Sequence, residues 1–96
     1  MANICCNDFY AESSSIENLE TIKSFIEKGY EAYLEGDTNT VEGSFDSKWT
    51  FPENSMRELF DLLPDKNDIY MRCLSYEFGC LYHALWICDE NGWREV

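Results

Sequence analysis

The chain has 96 residues, which fits one domain with a single modest core. Its residues are 45% hydrophobic and 16% aromatic, which argues against intrinsic disorder, and its formal net charge of −12 argues against a basic nucleic-acid-binding surface. That charge also opposes docking on anionic lipid. The sequence has no apolar run of membrane-spanning length, and its first residues do not resemble a signal peptide. We therefore expect one cytoplasmic domain over residues 1–96, with no membrane contact and no direct binding of nucleic acid.

Residue patterns in the first half of the chain predict a strand, a helix and a hairpin. Ser14 and Glu17 have the spacing of a capping box, and apolar residues then recur at helical spacing until Gly29, a typical helix stop. Gly43 interrupts an alternating segment and predicts a bulge. Val41, Phe45 and Trp49 are expected on one face of that segment. The predicted elements are strand 3–12, helix 14–28, strand 30–34 and strand 41–50.

The second half begins with a helix and continues with strands. Pro52 and Pro64 bracket an apolar pattern of i, i+3, i+4 and i+7 spacing, which predicts a helix between them. The Asn91-Gly92 pair is a strong hairpin signal, so the residues after it are expected to pair back as an edge strand. The predicted elements are helix 53–63 and strands 69–78, 81–89 and 93–96.

This order of elements predicts an α+β fold. A β-α-β-β-α-β core is the ferredoxin-like pattern, here with two helices on one face of an antiparallel sheet and a short extra C-terminal strand. Strands 69–78 and 81–89 are apolar or aromatic on both faces. We therefore expect an open aromatic face, to which Trp49 and Trp93 add.

The five cysteines allow two interpretations. An odd number without a secretory signal favours reduced thiols in a reducing cytosol, where cysteine acts as a small buried hydrophobe. The alternative is a zinc site built from Cys73, Cys80, His83 and Cys88, although strand alternation places His83 and Cys88 on opposite faces. We expect no metal and no cofactor. A catalytic pair of His83 with Cys6 or Cys80 is disfavoured, since the negative charge of the chain opposes a thiolate.

Two segments resemble a known family. The opening Met1-Ala2-Asn3-Ile4-Cys5-Cys6-Asn7 and the segment Phe45-Asp46-Ser47-Lys48-Trp49-Thr50-Phe51-Pro52 are similar to those of the YubB ferredoxin-like family of phage, plasmid and bacterial proteins. Leu74-Ser75-Tyr76-Glu77 and the glycine turn after it are also similar. Ile4 departs from the aromatic residue, usually tryptophan, expected at its position. The resemblance implies a ferredoxin-like fold and a mobile-element setting, and it implies no activity or catalytic residue.

The acidic residues give the leading functional hypothesis. Carboxylates are dense between residues 27 and 46, and such a field can steer a basic partner and stand in for phosphates. We expect a non-enzymatic protein that inhibits or sequesters a basic, nucleic-acid-binding host protein, in the manner of an anti-defence or anti-CRISPR protein. The expected partner-binding residues are Glu31, Glu35, Asp37, Glu42, Asp46, Trp49, Tyr82 and Trp86.

Two other kinds of protein remain open. The first is a self-associating homodimer in which the aromatic face is buried and the acids only confer solubility. The second is the small zinc-binding domain described above. An enzyme is expected least, because the chain lacks a phosphate-binding glycine loop and no pair of carboxylates stands out by its spacing.

Overall fold

In a computed structural model of the chain, residues 4–77, 79 and 82–96 are described. The predicted α+β class is confirmed, with two helices and a single sheet. The observed elements are strand β1 (Ile4–Glu12), helix α1 (Ile16–Gly29), β2 (Ala32–Gly36), β3 (Thr40–Lys48), α2 (Glu53–Leu62), β4 (Tyr70–Glu77), β5 (Tyr82–Asp89) and β6 (Gly92–Glu95).

The sheet is antiparallel throughout, with strand order β2-β3-β1-β4-β5-β6. The last strand, β6, pairs back onto β5 as the Asn91-Gly92 signal predicts. The predicted fold pattern counted only one short strand beyond its core, although both strands predicted at 81–89 and 93–96 are found, as β5 and β6. Two strands follow β4 in the sheet, and β5 has the same eight-residue length as β4. The sheet is therefore wider than a four-stranded core.

Both helices pack on one face of this sheet, which we call the helix face. Alternate residues of β1, β3, β4 and β5 join apolar residues of α1 and α2 in one core. The most completely buried large side chains of this core are Phe45, Ile22, Ile26, Met56, Leu59 and Met71. The opposite side of the sheet, which we call the open face, carries the other half of each strand's side chains. None of the helices of the described residues has the length and apolar character that a membrane crossing needs.

Helix α1 begins later than predicted. Ser15, not Ser14, is the N-cap, and its Oγ accepts the Asn18 N–H at 3.2 Å. Ser14 instead donates its hydroxyl to the carboxylate of Asp68, which lies beyond α2. The predicted capping box was therefore wrong, because Asp68, which is distant in the sequence, accepts the hydroxyl of Ser14. Gly29 is the last residue of the helix, and Tyr30 is the C-cap.

Both tryptophans near the C-terminus lie in the core, on the helix face. Trp86 is 9% exposed, and its ring stacks on Phe51 with 4.5 Å between centroids. Trp93 is also buried, and its Nε1 donates to the Met56 carbonyl at 2.8 Å. The prediction of Trp86 and Trp93 on an open aromatic face was wrong, because residues that reach them from α2 and the segment before it cover that side.

A buried polar group ties the three central strands together. The Nδ2 of Asn7 donates to the Phe45 carbonyl and the Ser47 hydroxyl, each at 3.0 Å, and its Oδ1 accepts the Ser75 hydroxyl at 2.7 Å. Asn7 itself has no exposed surface. Because each polar atom of this side chain has a partner, its burial is compatible with a stable core.

Replacing Asn7 with alanine is expected to lower the free energy of unfolding by about 2 kcal/mol, since it removes the hydrogen bonds of Asn7 to the buried Ser47 and Ser75 hydroxyls and to the Phe45 carbonyl and opens a small cavity. Urea unfolding followed by tryptophan fluorescence measures this change. The control is Asn54→Ala, at an exposed position in α2. Equal losses in the two variants would contradict a stabilising role for the buried network.

Candidate functional site

The predicted carboxylates gather on the open face of the β2–β3 hairpin. Glu35 lies directly opposite Glu42 across the two strands, and both are exposed. Glu31, just before β2, accepts the Asp46 N–H on its carbonyl at 3.0 Å, so these two residues are also neighbours. Asp8, on the next strand β1, pairs with Ser44. We call Asp8, Glu31, Glu35, Glu42 and Asp46 the acidic patch.

Asp37 stands apart from the acidic patch. It lies in the turn between β2 and β3, where its Oδ1 accepts the Thr38 N–H at 2.8 Å and its own N–H bonds the Thr40 carbonyl at 2.8 Å. These contacts are those of a turn-forming aspartate. Asp37 is exposed, but its geometry assigns it to the hairpin turn rather than to the sheet face.

The pairing within the acidic patch opposes folding. Like charges directly opposite each other in a sheet destabilise it by up to about 1 kcal/mol relative to neutral pairs. Among the described residues, the three ion pairs join Lys23 to Glu27, Arg57 to Glu53, and Arg94 to Asp89. None of these three pairs includes a residue of the acidic patch. The facing carboxylates of Glu35 and Glu42 therefore do not stabilise the hairpin.

Neighbouring side chains respond to the field of the patch. The pKa of Tyr76 is raised, first by the charge of Asp8, then by partial burial, with smaller contributions from Cys6 and Asp46. Burial, followed by the charges of Asp46 and Asp8, raises the pKa of the Cys6 thiol. Asp8 and Asp46 thus act on the same groups from two adjacent strands. The charges of Asp8 and Asp46 therefore reach side chains on β1 and β4.

The aromatic residues predicted as anchors are dispersed. Trp49 follows β3 in a left-handed backbone conformation (φ 71°) and is half exposed, so it leaves the alternating face on which it was predicted. Tyr82 packs against the core, and its hydroxyl accepts the Phe51 N–H at 3.3 Å. Trp86 is buried. The structure therefore brings together four of the eight predicted residues, namely Glu31, Glu35, Glu42 and Asp46.

Several residues of the open face were not predicted to belong to the binding site. Tyr33 lies between Glu31 and Glu35 with 83% of its surface exposed. Across the sheet, Leu74 is 43% exposed and pairs with Asp8 on one side and Leu85 on the other. A groove of about 820 Å³ joins these regions. Their strand alternation was visible in the sequence, but only the pairing register places them on one surface.

Arg72 lies on the open face of β4, where it pairs with Tyr10 on one side and with Ile87 on the other. Its guanidinium carbon is 4.2 Å from the ring centroid of Tyr10 and 6.0 Å from that of Tyr70. Such stacking keeps the cation flat against the sheet. In this row of the sheet Tyr10 and Arg72 separate Glu42 from Ile87, whereas in the neighbouring row Asp8 lies directly opposite Leu74.

The proposed zinc ligands do not share a face. Cys73 and Cys88 are fully buried on the helix face, whereas His83 is exposed and pairs with Tyr76 on the open face. A sheet lies between these groups, so Cys73, Cys88 and His83 cannot bind one ion. Cys80 lies outside the described residues. Among those described, no group of three or more metal-ligating side chains is placed to hold a metal.

The described cysteines are free thiols with suppressed acidity. Burial raises the pKa of Cys73 and of Cys88 to about 12, and it also raises that of Cys5. Cys6 and His83 lie on the same face but are separated by Tyr76, and two strand spacings place them about 10 Å apart. This geometry does not provide a thiolate–imidazole pair.

The buried thiols predict a decline of stability in alkali. A thiol whose pKa rises from 9.0 to about 12 on folding holds its proton more tightly in the folded state, so its contribution is complete below pH 9 and is lost as the pH rises towards 12. We expect the slope of unfolding free energy against pH in this range to become shallower in a Cys73→Ala, Cys88→Ala variant. An unchanged slope would contradict the burial of these thiols.

Comparison with protein-family models, with curated proteins and with solved structures finds no match to this chain.

Proposed function

We propose that this protein is a non-enzymatic binding module that recognises a basic protein through the acidic patch on its open sheet face. The observation that carries the proposal is the pairing of Glu35 with Glu42 on exposed strands, without a cation in the described ion pairs to offset them. A basic partner would relieve this repulsion on binding. It would also be steered to the patch by the net charge of −12.

The concrete form of the proposal is an inhibitor that occupies a nucleic-acid-binding cleft. Carboxylates spaced along neighbouring strands offer repeated negative charge, which a cleft lined with lysine and arginine is built to bind. Such a protein would sequester a host enzyme that binds or cuts nucleic acid, as an anti-defence or anti-CRISPR protein of a phage or mobile element does. The cytosol is the proposed compartment, and the four free thiols of the described residues support it.

The finer fold assignment is part of the proposal. Each helix joins two strands that have a third between them, since β3 lies between β1 and β2, and β1 lies between β3 and β4. This is the split βαβ pattern of ferredoxin-like domains. It supports a ferredoxin-like core extended by β5 and β6, and with it a relationship to the YubB family.

The low reactivity expected of the cysteine thiols supports a non-enzymatic role. The buried thiols have raised pKa values, and the histidine at position 83 lies on the other face of the sheet from Cys73 and Cys88. Neither arrangement generates a nucleophile at neutral pH. Binding chemistry, rather than bond-making chemistry, is what the open face offers.

Affinity capture from a cell lysate tests the proposed function. The tagged chain is loaded at about 0.05 M salt and eluted by raising salt to about 0.5 M, which shortens the Debye length several-fold. We expect the eluted protein to be basic and to bind nucleic acid, and we expect added chain to displace its nucleic acid. Capture that survives the higher salt, or a captured protein that keeps its nucleic acid, would contradict the proposal.

A further inference from the structure

The open face is divided into two zones of different chemistry. The acidic patch covers β2, β3 and part of β1. Leu74, Leu85 and Ile87 lie together on β4 and β5, where Leu74 pairs with Leu85 and Ile87 pairs with Arg72, and we call these three residues the apolar zone. Leu74 is exposed, and Leu85 and Ile87 are partly buried, so aliphatic surface lies beside the carboxylates. A partner that uses both zones must be basic on one side and apolar on the other.

The backbone of the sheet limits what can lie on this face. Strands β3, β1, β4 and β5 each have a hydrogen-bonded neighbour on both sides, so their main-chain groups are already paired within the sheet. A segment placed on the face gains no main-chain bonds from it and must satisfy its own N–H and C=O groups. Helices and complete sheets do so, and these are the layers that pack on sheet faces in folded domains.

A second copy of the chain is a poor choice for that layer. Two copies that stack open face on open face would each bring the acidic patch and a net charge of −12. Arg72, a cation on this face, is held against the Tyr10 ring. Self-association on this face would therefore bury like charges against each other, whereas a basic helix would neutralise them.

We propose that the occupant of the open face is a basic amphipathic helix of the partner protein, with its apolar stripe on Leu74, Leu85 and Ile87 and its lysines or arginines over Glu42 and Asp8. Glu42 on β3 and Ile87 on β5 are three strand spacings apart, about 14 Å, and a helix with its side chains is about 10–12 Å wide. A helix laid along β1 and β4 therefore lies over Asp8 and Leu74, and its longer side chains reach Glu42 on one side and Leu85 and Ile87 on the other. This inference rests on the proposed function and adds the form of the recognised segment.

A pair of synthetic peptides tests the inference. One is a leucine–lysine peptide of about 18 residues with all leucines on one helical face, which at 1.5 Å per residue spans about 27 Å, close to the length of β4. The other has the same composition with its order scrambled, so its charge is equal. Fluorescence anisotropy measures affinity, and circular dichroism reports helix formation on binding. We expect the amphipathic peptide to bind about tenfold more tightly than the scrambled one.

A matched pair of leucine variants tests whether the peptide contacts Leu74. Leu74→Ser should weaken binding of the amphipathic peptide about tenfold, and Leu62→Ser, at a similarly exposed leucine on α2, should leave it unchanged. Both side chains are solvent-accessible, so neither variant is expected to unfold the protein. Circular dichroism of the free variants checks this directly.

The outcomes separate the inference from the proposed function. Equal binding of the two peptides, with salt-sensitive capture intact, overturns the helix and leaves the acidic patch as a charge-only surface. Loss of peptide binding in both leucine variants also overturns it, since a helix-layer residue would then matter as much as Leu74. Light scattering that gives twice the monomer mass, with no binding of the amphipathic peptide, replaces the helix with a second copy.

Discussion

Replacing Glu35 and Glu42 with lysine is expected to weaken binding of the captured basic partner by about a hundredfold. The two carboxylates lie opposite each other at the centre of the acidic patch, and the variant turns their attraction for a basic surface into repulsion. Because the like-charged pair is unfavourable in the free protein, a matched lysine pair should leave the fold intact. Isothermal titration calorimetry with the captured partner measures the change.

The matched control moves the same charge reversal to the helix layer. Glu20 on α1 and Glu58 on α2 are exposed and take part in none of the ion pairs among the described residues. Replacing both with lysine raises the net charge from −12 to −8, as the sheet-face variant does. We expect this control to bind within about threefold of wild type. Equal losses in the two variants would assign the binding to overall charge and refute a defined patch.

Replacing Gly43 with alanine is expected to lower the free energy of unfolding by about 3 kcal/mol or more. Gly43 has a φ of +150°, and a Cβ there would meet the Tyr33 carbonyl oxygen at 1.9 Å. The obstacle is backbone, so the two strands of the hairpin must separate. Strand β2 is at the edge of the sheet and is paired only with β3. If the two strands separate, Glu35 no longer lies beside Glu42, so the variant should also lose the acidic patch and partner binding.

The control for this prediction is Gly36→Ala in the same hairpin. A Cβ at Gly36 meets nothing within 4 Å, so we expect a change within about 0.5 kcal/mol. Urea unfolding followed by tryptophan fluorescence measures both variants. Comparable stability of the two alanine variants would contradict the close approach of β2 to β3 at this point.

The strand register at Gly43 also shows that the predicted bulge was wrong. The register runs without interruption from β1 through β3 to β2, with Phe9, Gly43 and Leu34 in one row. A glycine inside a strand marks either a bulge or a close backbone approach, and the sequence does not distinguish the two. The deciding contact, the Tyr33 carbonyl, belongs to a different strand.

Elements with strong local signals were predicted well. The helix expected over 53–63 is found at Glu53–Leu62, since apolar spacing and flanking prolines act within one segment. The last hairpin follows from Asn91-Gly92 in the same way. Ser14 shows the limit of such signals, because its hydroxyl is taken by Asp68 from a distant part of the chain.

The face on which each side chain lies was harder to predict. In β5, Leu85 and Trp86 have opposite orientations, and both parities of the strand are apolar. Alternation alone therefore does not say which parity meets the helices. The stacking of Phe51 on Trp86 settles the choice, and it joins residues far apart in the sequence.

The sequence predicted part of the acidic patch. The density of carboxylates between residues 31 and 46 predicted an exposed acidic segment, and the structure places Glu31, Glu35, Glu42 and Asp46 in it. The contribution of Asp8 and the nearness of Leu74 depend on the pairing of β1 with β3 and β4. Register is a property of the folded sheet, so a single sequence gives no direct measure of it.

Mapping the bound partner by NMR shows directly whether the acidic patch is the binding surface. Amide shifts of the ¹⁵N-labelled chain are followed while the captured basic protein is added at low salt. We expect the largest changes on β2, β3 and the open-face residues of β1, around Glu35, Glu42 and Asp8. Changes confined to α1 and α2, with the acidic patch unaffected, would contradict this expectation.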